Sequence, residues 1–119
     1  MEATRNEGYG FYGTMRVAGC ADEAWEIAMT AIAAETGTET DEVRDFLDST
    51  WGRHFADTVH CYLGKYSLKN AIAEAIKKWN GWKLTPRMRR ELDIPMPMPY
   101  LTGMIYVASF EAQACEQGV

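Results

Sequence analysis

Between Ser67 and Trp82 the apolar residues Leu68, Ala71, Ile72, Ala75, Ile76 and Trp79 recur at three- and four-residue intervals without a gap. That period lays one apolar stripe along a helix; it cannot serve a strand, whose faces alternate at every residue. Ser67 offers an N-cap oxygen, Asn80-Gly81 a stop, and Lys77 and Lys78 lie where the helix dipole favours cations. The same period recurs upstream. Trp25, Ala28, Met29 and Ile32 mark a helix over about Asp22–Thr36, with Asp22 as its cap and Gly37 as its stop. Val43, Phe46 and Leu47 mark a short one over about Asp41–Asp48, capped by Thr40. Trp51, Phe55, Ala56, Val59, Tyr62 and Leu63 mark a third from Thr50 to Leu63, closed by Gly64. Thr85-Pro86 reads as the N-cap and first position of a further short helix to about Leu92.

Two stretches break the pattern. Residues 1–21 alternate glycine with Tyr9, Phe11 and Tyr12, too permissive for a helix interior, and are expected to form an irregular arm. In Ile94-Pro95-Met96-Pro97-Met98-Pro99, alternate prolines exclude a helix and favour an extended strap. Beyond it, Leu101, Met104, Ile105, Ala108 and Ala112 fit a helix over about Thr102–Glu116, although Ile105-Tyr106-Val107 has strand character. At 119 residues the chain has the size of one domain, and a real core needs no metal or disulfide at that length. The expectation is a mainly α, single-domain compact bundle of five to six helices, with a Gly/aromatic N-terminal arm and a Pro-rich strap before the C-terminal element.

The three cysteines, Cys20, Cys61 and Cys115, form no close pair, and an odd count favours free thiols. MEATRNEGYG lacks the apolar core of a signal peptide, and no run reaches membrane-span length, so a cytoplasmic protein without membrane attachment is expected. The net charge of −5 conceals blocks of opposite sign. Residues 1–64 hold 4 bases and 12 acids, residues 65–90 hold 8 bases and 1 acid, and residues 91–119 hold four acids and no base. Such blocks either neutralise one another in the fold or present separate binding faces.

Both histidines fall between Asp45 and Lys65. At about 100° per residue, Arg53, His54, Asp57, His60 and Cys61 share the polar side of their helix, opposite Phe55 and Val59. His54, Asp57 and Cys61 offer zinc-type donors, with Cys20 or Asp48 as a conceivable fourth, but the spacing matches no standard metal motif. Cys61 and His60, adjacent in sequence, point about 100° apart, the wrong geometry for a thiolate pair. Neither catalysis nor a cofactor is expected; a metal-dependent enzyme ranks third among the readings.

Binding ranks first. Asp41, Glu42, Asp45, Asp48 and Asp57 are positioned to present carboxylates to a surface that normally grips phosphates. Lys77, Lys78, Lys83, Arg87, Arg89 and Arg90, set around Trp79 and Trp82, are suited to an acidic partner or to nucleic acid. The strings Glu7-Gly8-Tyr9-Gly10-Phe11-Tyr12-Gly13-Thr14, Ala24-Trp25, Phe46-Leu47-Asp48-Ser49 with Gly52-Arg53-His54-Phe55-Ala56-Asp57, Trp79-Asn80-Gly81-Trp82, and Pro99-Tyr100-Leu101-Thr102-Gly103 extend over most of the chain. Together they resemble a family of small uncharacterised proteins carried by proteobacterial plasmids and integrative elements. The resemblance transfers no functional residue. It implies a mobile-element setting, in which small acidic proteins are often accessory factors, including inhibitors of host restriction or CRISPR systems. The expected function is therefore a non-catalytic accessory protein that binds and inhibits a host nucleic-acid-processing complex, with a small nucleic-acid-binding regulator as the alternative.

Overall fold

The computed structural model describes residues 10–116. Among the described residues seven helices follow one another: α1 Gly10–Val17, α2 Ala21–Thr36, α3 Thr40–Leu47, α4 Thr50–Leu63, α5 Leu68–Gly81, α6 Pro86–Glu91 and α7 Tyr100–Glu116. No strand occurs among the described residues, and the one bridge pairs Lys83 with Pro99 in antiparallel sense. The chain is an all-α bundle around a single apolar core.

The first correction concerns the N-terminal arm. Gly10–Val17 is a helix whose Phe11 and Met15 are fully buried and whose Tyr12 is nearly so. Gly10 opens it with φ +70°, a conformation glycine adopts at no steric cost, and a β-carbon there would press on Leu47 O at 2.7 Å. Only Gly13 then bears the helix penalty of about 1 kcal/mol. Burial of each large apolar side chain yields about 1.5–3 kcal/mol. Tertiary burial therefore decides the conformation. Tyr9 lies outside the described residues.

Other ends shift slightly. Asp22 lies in the first turn of α2 rather than at its cap, and its carboxylate accepts from Tyr12 Oη at 2.8 Å, tying α2 to α1. Gly37 closes α2 in the left-handed conformation, as its position predicts. Thr40 is the first residue of α3; the cap is Glu39, in a reciprocal box with Glu42. Ser49, Ser67 and Thr85 cap α4, α5 and α6 through their side-chain oxygens. Gly64 follows α4 but keeps right-handed helical angles.

On α4 the buried residues are Gly52, Phe55, Ala56 and Val59. Trp51, Tyr62 and Leu63, expected on the same side, are only half-buried at its margin. The polar side faces outward as the phasing requires: Arg53, His54, Asp57, His60 and Cys61 are all exposed.

The tail is helical and begins at Tyr100, two residues earlier than expected. Its principal neighbours are α3 and α5. Leu101, Gly103, Met104, Ile105, Val107, Ala108 and Ser109 are all buried, so most of its circumference is enclosed. A helix that is apolar nearly all round belongs inside a fold. The strap is non-helical, as its prolines demand, bends at Met96 and buries Ile94. Leu84 and Ile94 grip α7 at Gly103, where a β-carbon would meet Leu84 Cδ1 at 2.6 Å.

Candidate functional site

Trp79 lies within the basic segment in sequence and anchors that part of the chain in the core. It is 2% exposed and meets Phe46 and Phe55 edge-on, at ring-centre separations of 6.0 and 5.3 Å. Its indole N–H donates to Thr58 Oγ1 at 3.0 Å, which satisfies the polar atom that burial would otherwise strand. Trp82 stacks on it at 5.6 Å, and Tyr100 closes against both indoles at 5.4 and 5.2 Å. The Tyr100 N–H donates to Trp82 O at 3.2 Å, and burial pushes its phenol above the usual range. Trp82 itself remains 40% exposed, so the ladder runs from the core to the surface.

Cations accompany this ladder in sequence. Lys77, Lys78, Lys83 and Arg90 are exposed. Arg87 is exposed and holds Glu91 at 3.0 Å, one turn along α6. Arg89 is half-buried, and its Nε has no hydrogen-bond partner among the described residues.

The acidic candidates differ in exposure: Asp41 and Asp57 are exposed, and Glu42, Asp45 and Asp48 are half-buried. Asp41 pairs with Arg44 at 3.2 Å, and Glu42 accepts from the Glu39 N–H in the capping box. Asp45 and Asp48 are half-buried and engaged with neighbours. Asp57 alone of the five is exposed with no partner among the described residues. Short-range helix chemistry therefore occupies Asp41 and Glu42.

His54, Asp57 and Cys61 are not brought together into a metal site. Seven residues of helix separate His54 from Cys61, about 10 Å along the axis. Among the described residues, no three of His, Cys, Asp and Glu come close enough to hold an ion. Cys20, the proposed fourth donor, is half-buried near α2; burial first, and then Glu23, push its thiol above the usual range. His54 lies beside Trp51, with ring centres 6.4 Å apart.

Sequence reasoning missed Thr58, Gly52 and the outer side of α7. Phe110 lies half a turn from the Leu101 stripe, so its outward position was readable from spacing alone; it is 63% exposed, with Tyr106 beside it at 37%. No helix among the described residues is long and apolar enough to cross a membrane. Compared with protein-family models, curated proteins and solved structures, the chain finds no match.

Proposed function

We propose that the chain is a non-catalytic accessory protein of a mobile element that binds a host nucleic-acid-processing complex and inhibits it. The observation that carries this reading is the set of exposed cations Lys77, Lys78, Lys83, Arg87 and Arg90 flanking, in sequence, an aromatic ladder that reaches the surface at Trp82. A rigid aromatic with flanking cations suits binding, because little side-chain entropy is lost on contact. Among the acidic candidates Glu42, Asp45 and Asp48 are half-buried, which favours the mostly exposed basic residues as the contact surface. Lys83, Arg87 and Arg90 would then grip carboxylates or the phosphates of a bound guide or substrate.

The test joins capture to inhibition. The full chain, used as bait in host lysate, is expected to retain a restriction or CRISPR complex and to slow its nucleic-acid cleavage in the purified state. Combined Lys83→Gln, Arg87→Gln and Arg90→Gln substitution should abolish both effects. Retention without inhibition, or inhibition that survives the triple substitution, would count against the reading.

The exposed edge of Trp82 favours a second reading, a small nucleic-acid-binding regulator. An indole stacks a base with about 1–3 kcal/mol. A gel shift with a single-stranded oligonucleotide separates the two readings. Binding by the isolated chain that falls steeply with salt and is lost in Trp82→Ala would favour the regulator.

A further inference from the structure

A groove separates the end of α6 from the outer side of α7. It is lined by Leu92, Tyr106, Val107 and Phe110, together with the carboxylates of Asp93 and Glu111. Its volume, about 240 Å³, falls below the ~300–1,000 Å³ usual for small-molecule sites. Such a space accommodates side chains presented by another protein better than a whole ligand.

Asp93 supplies the telling detail. Among the described residues it is the one non-glycine with positive φ, at 56°. It closes α6: the Ile94 N–H donates to Arg89 O at 2.9 Å and the Asp93 N–H to Arg90 O at 3.4 Å. Glycine is the usual residue at this turn. Aspartate enters this region less readily than glycine and here sets an anion at the negative end of a helix. Neither its carboxylate nor that of Glu111 makes a hydrogen bond or ion pair among the described residues. The third carboxylate lining the groove, Glu91, is held by Arg87.

We propose that this groove docks a cationic, apolar segment of a partner protein. A Lys or Arg of the partner would meet Asp93 and Glu111, and an adjacent apolar side chain would cover Phe110 and Tyr106. Charge complementarity selects this occupant, since Asp93 and Glu111 line the groove without an ion pair among the described residues and no Lys or Arg lines it. The proposal does not depend on the basic segment 77–90.

The experiment uses the full chain, isotope-labelled for NMR. The probe is a synthetic peptide of about 14 residues with Lys and Leu at helical spacing, set against a Glu/Leu and a Lys/Ser counterpart. The Lys/Leu peptide is expected to saturate, with shifts confined to Leu92, Asp93, Tyr106, Phe110 and Glu111. Asp93→Gly suits the left-handed turn, so it should hold or raise stability while weakening the peptide roughly tenfold. Phe110→Ser, at an exposed position, should also weaken it. Failure to saturate, equal binding of the Glu/Leu peptide, shifts elsewhere, or binding unchanged in both variants would overturn the proposal. So would a dimer in sedimentation that dissociates on Phe110→Ser, because a second copy would then be the occupant.

Discussion

Gly52 of α4 lies directly over the end of α3. A methyl group on it would sit 2.5 Å from the Leu47 carbonyl carbon and closer still to its oxygen. The contact is backbone on backbone, so no side chain can swing aside. Gly52→Ala should cost about 2–3 kcal/mol in urea unfolding, as overpacked sites do. Gly64 is the matched control. It has right-handed angles and open space around it, so Gly64→Ala should stabilise by about 0.4–1 kcal/mol.

The bond from Trp79 to Thr58 predicts a second asymmetry. Thr58→Val keeps the shape but leaves a buried indole N–H without its acceptor, at a cost of about 1–3 kcal/mol. Thr58→Ser retains the acceptor and should cost less. The Trp79 indole proton, followed by hydrogen exchange, should lose protection in the valine variant and keep it in the serine variant.

Stability should also depend on Tyr100 at high pH. Burial raises its folded pKa above the unfolded value, so the neutral phenol contributes fully below the usual tyrosine range. As pH rises past ~10, the unfolded chain ionises first and stability falls until the folded pKa is passed. Tyr100→Phe should flatten this decline in urea midpoints measured across that window.

The thiols should differ in rate. Cys61 is exposed, whereas Cys20 is half-buried, with burial and Glu23 both disfavouring its thiolate. Iodoacetamide labelling at mildly alkaline pH, resolved by peptide mass, should modify Cys61 well before Cys20. The reverse order would place Cys20 in a different environment from the one described.

The legible parts of the fold were those whose signals are local and agree. Ser67, the stripe through Trp79 and Gly81 all point to one helix, and α5 spans those limits. The first helix was not legible, because its stability comes from Phe11 packing on Phe55 at 6.0 Å, far along the chain. Glycine content reports only the local cost. For the candidate surfaces, phasing placed His54, Asp57 and Cys61 correctly on an outward face, but a shared face does not reveal axial distance. Charge counting found the basic segment. It had no means of showing that Glu42 is held in a cap and Asp41 in an ion pair. The groove residues Tyr106 and Phe110 were visible as aromatics off the apolar stripe, yet only the course of the strap and α6 brings Asp93 beside them.

The enclosure of α7 has a consequence for how the chain folds during synthesis. α3 and α5 are both made before Leu101, Met104 and Ile105, the side chains that fill the space against them. Until α7 has been made, the sides of α3 and α5 that face it lack their covering layer. The nascent chain at that stage offers an apolar cleft rather than a core, the kind of surface that chaperones shield. Ribosome-bound chains arrested before Tyr100 should therefore remain protease-sensitive, and chains arrested after α7 has emerged from the exit tunnel should not.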